Sequence, residues 1–367
     1  MDPHSEDIVE AEESDSDAPR CEECGAAVRW DPDADALSCA YCGTVRPVER
    51  GDETILERPL AAAAEVARGL GIDLRVTDCG QCGARITFEG ASTSTACAFC
   101  GSSRVLDQDC NRNALRPESL VPLDVGRTEV EAAFDKWLTG LWFRPNALKG
   151  VKAADAQGVY VPYWTFDCHV HSDWTAMSGT YYYVTVPVVT TVNGKVRTRM
   201  KRVRKVRWRP AAGERSDVFD DLLVPASRGL STGLLDRLGG FDTTALVPYR
   251  SEYLAGWRAE EYAIDLEQGW EEGHRRVEAR QHQRCAGDVP GDTQRALSVR
   301  NTVSDVRFRH VLLPVWSLVY RYRGKAFPVL VNGQTGRVVG KAPWSWVKIL
   351  ALLATLGAGV AALALGS

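Results

Sequence analysis

Eight of the eleven cysteines fall into two sets with one spacing. Cys21, Cys24, Cys39 and Cys42 read C-x2-C-x14-C-x2-C, and Cys79, Cys82, Cys97 and Cys100 repeat that pattern 58 residues later. A glycine follows the second cysteine of every pair: Gly25, Gly43, Gly83 and Gly101. Each C-x2-C puts two thiolates on one side of a tight knuckle, and a hairpin that returns a second knuckle completes a tetrahedron of sulfur at about 2.3 Å from a metal. Glycine suits the turn because it takes positive φ without a Cβ clash. Four thiolates leave no open coordination position, so the spacing predicts two structural zinc ions, one per set. Segments this short bury too little to fold alone, and metal binding supplies the missing free energy. Disulfides and a dithiol redox pair are the competing chemistries. A redox pair would not need a second pair at fixed distance or a second copy of the set, and disulfides are not expected where the start of the chain lacks the pattern of a secretion signal.

Other residues offer weaker chemistry. Cys168-His169 with His171 would need Cys110 or Cys285 as a further ligand, at no defined spacing, and reads better as half-exposed strand. Asp220-Asp221 could form an acid pair or a Mg²⁺ site, against the simpler reading of a solvated turn ahead of an apolar strand. Gly336-Arg-Val-Val-Gly340-Lys341-Ala342 is one residue short of a phosphate loop and lacks its hydroxyl. Neither a G-x-S-x-G elbow nor an H-E-x-x-H pair occurs, and nothing in the sequence argues for an enzyme.

The elements that must position the cysteines follow from pattern. Residues 1–20 carry eight acids against Arg20 and read as a disordered acidic tail. The first ribbon is expected over 21–48, a linker over 49–76 with a short helix from Pro59 to Arg68, and the second ribbon over 77–107. In the connector 108–150, Thr128-x-x-Glu131 reads as a capping box. It opens a helix with Val130, Phe134, Trp137, Leu138 and Leu141 on one face, ending before Pro145. Residues 151–343 read as a β-rich domain. Its expected strands include Gly158–Phe166, a long hairpin of Tyr181–Val192 and Lys195–Trp208 about Asn193-Gly194, and a meander of Phe308–Tyr322, Lys325–Val331 and Arg337–Gly340. A polar helical segment, Tyr262–Cys285, lies between. Val161-Pro-Tyr-Trp164 is echoed faintly by Leu313-Pro-Val-Trp316.

Formal net charge is only −4, so bulk charge does not mark a nucleic-acid binder. Lys195, Arg197, Arg199, Lys201, Arg202, Arg204, Lys205, Arg207 and Arg209 are the densest charge in the chain. Strand alternation puts Lys195, Arg197, Arg199 and Lys201 on one face and Val196, Thr198 and Met200 on the other. The stretch is a solvated sheet face, or it contacts anionic lipid or nucleic acid. Ile349–Gly366 is an uncharged run flanked by Trp344, Trp346, Lys341 and Lys348. Its length matches a transmembrane helix, so 344–367 is expected to be a C-terminal anchor. The flanking cations place the N-terminal body in the cytoplasm and the protein in the inner membrane.

Taken together, the two cysteine sets, Gly158–Asp167, Phe219–Ser227, Tyr253–Gly256, His310–Trp316, Val331–Gly336 and the apolar tail resemble a family of bacterial membrane-anchored proteins with tandem zinc ribbons of the transcription factor IIB type. Its members are often labelled as primosomal replication helicases, a label the missing phosphate loop speaks against. Some relatives are linked to a membrane-stress system of phage-shock-protein A type coat proteins. The resemblance implies an adaptor and supplies no catalytic residues. The expected fold is α+β: two small four-cysteine zinc ribbons, a β-rich α+β domain and a transmembrane helix. The expected function is a non-enzymatic, tail-anchored adaptor that docks a cytoplasmic protein partner, with ribbons free to reach away from the membrane. The alternative is a membrane-tethered nucleic-acid-binding protein.

Overall fold

The computed structural model of the chain describes residues 19–48, 55–65, 75–82, 84–88, 97, 99, 105–109, 115–148, 150–151, 154–192 and 195–365. The acidic stretch 1–18, the Asn193-Gly194 turn, Cys110 and Cys100 lie outside them.

Strands β1 (Val28–Asp31), β2 (Ala36–Cys39) and β3 (Val45–Arg46) form a small antiparallel sheet around the first cysteine set. Next come β4 (Arg58–Pro59) and a 3₁₀ turn, Leu60–Glu65, within the expected helix Pro59–Arg68, whose residues 66–68 lie outside the described residues. Strands β5 (Arg75–Cys79), β6 (Arg85–Phe88) and β7 (Val105–Asp109) carry the second cysteine set. They are followed by β8 (Ser119–Leu120) and helix α1 (Arg127–Gly140). The expected capping box does not form. Gly126 is the N-cap, Thr128 lies inside the first turn, and Glu131 pairs instead with Arg127 at 3.2 Å. Val130, Phe134 and Leu138 are the buried face of α1.

The body is built on three very long strands: β9 (Ala154–Val192), β10 (Lys195–Pro225) and, after several short elements, β13 (Thr293–Tyr322). β9 lies between the other two, antiparallel to both. Where separate strands were expected at Gly158–Phe166 and Tyr181–Val192, one continuous strand of 39 residues runs through. The reason is legible in burial: from Val170 to Ala176 every second residue is buried and the residues between are exposed, an unbroken two-residue period. The two echoed motifs turn out to be neighbours, with Val161 paired to Leu313 and Tyr160 to Pro314.

Between β10 and β13 come α2 (Thr232–Leu238), β11 (Val247–Pro248), β12 (Arg258–Glu260) and α3 (Leu266–Asp288). Asp265 caps α3 by accepting from the Gln268 N–H at 2.8 Å. α3 lies on the sheet because Gly269 lets it: a Cβ there would meet Trp164 Cδ1 at 2.5 Å. β14 (Lys325–Asn332) and β15 (Val338–Gly340) extend the far side, and α4 (Trp346–Leu365) closes the chain.

Two corrections follow. The fold is mostly β with one large mixed sheet, not an α+β domain trailing two separate ribbons and a transmembrane helix. β5, β6 and β7 belong to that sheet through β6–β12 pairing, while β12–β9 and β13–β8 are its parallel contacts. The second correction concerns the C-terminus. The side chains of α4 are described only as far as Ala358, roughly 20 Å of helix. Among the described residues no helix is long and apolar enough to cross a membrane. The transmembrane anchor, the membrane as partner, lipid contact by Lys195–Arg209 and inner-membrane placement are therefore set aside. Two of the residues expected at a lipid interface, Trp344 and Lys348, and the backbone of Ser345 contact the loop after α1. The Trp344 ring lies 6.2 Å from Phe143, the Ser345 N–H donates to the Phe143 carbonyl at 2.7 Å, and Lys348 Nζ donates to the Trp142 carbonyl at 3.1 Å.

Candidate metal centres and the basic arm

In the first set, Cys21 Sγ lies 3.5 Å from Cys42 Sγ and Cys24 Sγ lies 3.5 Å from Cys39 Sγ. All four sulfurs are within 4.8 Å of one another and none is in a disulfide. A tetrahedron with 2.3 Å bonds has edges of about 3.8 Å, so the group fits one metal ion. The knuckles are built as the spacing requires. Gly25 and Gly43 have φ of 71° and 76°, and their N–H groups donate to the Cys21 and Cys39 carbonyls at 2.8 and 2.9 Å. Thr44 Oγ1, 3.1 Å from Cys42 Sγ, and the Thr44 backbone draw the Cys42 thiol down to about 6, so it presents a thiolate near neutrality.

The second set repeats the geometry. The Cys79 N–H donates to the Ala84 carbonyl at 2.9 Å, as the Cys21 N–H does to the Ala26 carbonyl at 2.8 Å. Cys82 Sγ is 3.6 Å from Cys97 Sγ, and Cys79, Cys82 and Cys97 lie within 4.8 Å of one another. Cys100 lies outside the described residues, so three of the four expected ligands are seen together. The neighbouring Cys97 sulfur and then burial push the Cys82 thiol up. A cation among the three sulfurs would remove the penalty of crowding their thiolates.

The two centres sit in different surroundings, which the repeat in sequence hid. Tyr41, before the last cysteine of the first set, is 84% exposed; its counterpart Phe99 is 2% exposed. Cys79, Cys97, Phe99, Ala84 and Ile86 share one core with Val159, Val161, Val311 and Leu313 of the long strands. Nor does the first ribbon reach freely outward. Trp30 of β1 is 1% exposed, its Nε1–H donates to the Leu123 carbonyl at 3.1 Å, and its carbonyl accepts from Trp257 Nε1 at 2.9 Å. The expectation of mobile ribbons is overturned by this wedge.

The Cys168, His169, His171 and Cys285 group is dispersed. Cys168 faces the core and is pushed up to about 11 by burial, while His169 and His171 share the opposite, exposed face. His171 bonds Ser216 Oγ at 2.9 Å, and Cys285 is buried in a different cluster. Asp220-Asp221 is a bulge inside β10, not a turn before it, with Asp221 at φ 49°. The bulge brings Asp220 within 4.8 Å of Asp167 and of Glu57, while Arg309 pairs with Asp221 and, at 3.4 Å, with Glu57. Burial pushes the Asp167 carboxyl up to about 7, opposed by the Asp221 N–H and aided by Glu57. A raised folded-state value means this group's contribution is fully present below about pH 4 and is lost as pH rises through 7. Asp167→Asn is expected to flatten that slope, narrowing the gap between melting temperatures at pH 5 and pH 8. An unchanged gap would assign the slope to other groups.

The basic stretch forms an arm. β13 begins to pair with β9 at Gly179, opposite Thr293, so from Thr180 outward β9 and β10 continue as a two-stranded ribbon among the described residues. Thirteen residues to Val192 at about 3.3 Å each carry it about 43 Å. Neither face is buried: Val196 is 70% and Met200 62% exposed on one, and Arg199 and Lys201 are exposed on the other. Farther in, cations occupy both faces. Arg202 and Arg204 stack over Tyr183 and Tyr181 at 4.1 and 4.3 Å, and Arg207 over Tyr182 at 5.5 Å. From Thr180 to Arg209 the arm has no carboxylate.

No known protein family and no solved structure matches the chain. The tandem zinc-ribbon family and its helicase label gain no support, and what stands beside the distant relative is two cysteine clusters able to hold metal ions. The chain is similar to the uncharacterized protein YdjG of Bacillus subtilis (strain 168), at 26% identity over 366 residues covering 93% of this chain and 94% of that protein.

Proposed function

We propose that this protein is a non-enzymatic adaptor whose two cysteine centres hold structural zinc and whose basic arm docks an acidic protein partner. All-thiolate tetrahedral sites favour zinc and leave no position for water or substrate. The observation that carries the docking role is the arm itself. It adds nothing to the core, holds nine cations without a carboxylate, and opens both faces to solvent. Self-repulsion makes such an element costly unless a partner neutralises it.

The test places a photo-crosslinking residue at exposed Thr198 and irradiates cells. The expected product is a discrete protein adduct. It should vanish when Arg202, Arg204, Lys205 and Arg207 are all changed to glutamine, with the fold intact by circular dichroism. Adducts to nucleic acid alone would replace this reading with the nucleic-acid one. No adduct would remove the docking role.

A further inference from the structure

A cleft of about 720 Å³ lies where the end of α1, the loop after it, β15 and the loop leading from β15 to α4 meet. Its size is that of a small-molecule site. Trp137, Phe327 and Trp344 form its apolar walls, and Arg144, Arg237 and Lys341 supply charge. Among the described residues no carboxylate lines it. The wall is closely built: a Cβ on Gly340 would meet the Trp137 ring at 2.9 Å, so only glycine lets the indole lie against β15.

Arg144 is the anomaly. It is 5% exposed, and its Nε and Nη1 are buried without a hydrogen-bond partner. A buried guanidinium normally has a carboxylate or several carbonyls, because an uncompensated charge away from water is expensive. The opposite case occurs nearby in the same molecule: Arg276, also largely covered, pairs with both Asp236 and Glu272. Arg144 instead lines a cleft with two more cations at its mouth and aromatic rings around it. This arrangement is complementary to a negative headgroup carried on an apolar body.

We propose that this cleft binds a small amphipathic anion, a molecule with one carboxylate or phosphate group and an apolar ring or chain. The headgroup is drawn to Arg144, with Arg237 and Lys341 at the rim, and the apolar part lies against Trp137, Phe327 and Trp344. The inference is independent of the arm and of the metal centres.

The experiment uses the full chain and four probes: decanoate, decyl phosphate, decanol and inorganic phosphate. Binding is read by calorimetry and by the fluorescence of the cleft tryptophans. Decanoate or decyl phosphate should bind at least about tenfold tighter than decanol and than inorganic phosphate. Arg144→Met should lose about tenfold or more for the charged probes while the ligand-free protein melts no lower than wild type, since the exchange removes an uncompensated buried charge. The double variant Arg237→Gln, Lys341→Gln, both at exposed positions, should weaken the charged probes and leave decanol unchanged. Equal binding of decanol and decanoate would reduce the cleft to an apolar groove and overturn the proposal. Binding of inorganic phosphate alone would deny the apolar half. If Arg144→Met fails to fold, unchanged anion affinity in the double variant overturns it.

Discussion

Replacing Cys79 by serine should release one of two bound metal ions and lower the melting temperature of the whole molecule by about 5 °C or more. Cys24→Ser should release the other ion with a much smaller effect on the main transition. The asymmetry comes from where each centre sits. Cys79 ends β5, which is hydrogen-bonded to both β6 and β7, and β6 continues through β12 to β9. Its side chain and those of Cys97 and Phe99 are packed with residues of β9 and β13. Structural zinc contributes roughly 10–16 kcal/mol in small peptides. Losing even a third of that from an element continuous with the core is worth about 5–8 °C in a body of this size. Cys24 is exposed, and its three-stranded sheet is hydrogen-bonded to no strand of the larger one. Metal analysis and calorimetry on the same samples make the comparison. Equal melting shifts for the two variants, or a metal content near zero in the parent protein, would refute the assignment.

The clustering of the cysteines was legible because its determinants are local. A C-x2-C-Gly knuckle is closed by hydrogen bonds between residues four or five apart, such as Gly25 N–H to the Cys21 carbonyl and Cys21 N–H to the Ala26 carbonyl. Sequence spacing alone specifies them. What each knuckle packs against is not local. Nothing in Val28-Arg-Trp-Asp31 announces that Trp30 is held by Ala255 and Trp257, more than two hundred residues away. The same limit applied to the long strands. Strands are ordinarily short, so the two-residue period through Cys168–Ala176 does not by itself announce one strand of 39 residues. In α3, Gly269 has low helix propensity and is the residue whose missing Cβ admits Trp164. At the C-terminus an uncharged run satisfied a length rule, whereas the described part of α4 is tied at its base to the loop after α1.

The wedge formed by Trp30 gives the last expected result. Trp30→Ala should free the first ribbon from the body without emptying either metal centre. The indole is 1% exposed and lies 4.8 Å from the Tyr253 ring, in one cluster with Leu123, Val125, Leu254 and Trp316. Truncating a buried tryptophan costs about 3–5 kcal/mol through lost transfer energy and the cavity left behind. The Leu123 carbonyl also loses its donor, at about 1 kcal/mol. The backbone bonds of Trp30 to Ala255 and Trp257 remain available, but without the ring they must hold the ribbon nearly alone. The four sulfurs are untouched, because Cys21 and Cys39 are positioned by knuckle bonds within 21–44. Protease cleavage between the two cysteine sets should therefore accelerate, by an order of magnitude or more, while metal content stays at two per chain. Trp30→Phe keeps a ring against Tyr253 and loses only the Nε1 donor and some volume, so its cleavage rate should fall between those of parent and alanine variant. Unchanged protection in Trp30→Ala would mean that the ribbon is held by its remaining contacts, Arg29 over Trp257 among them. Loss of metal in that variant would mean that docking, and not the knuckles, organises the first centre.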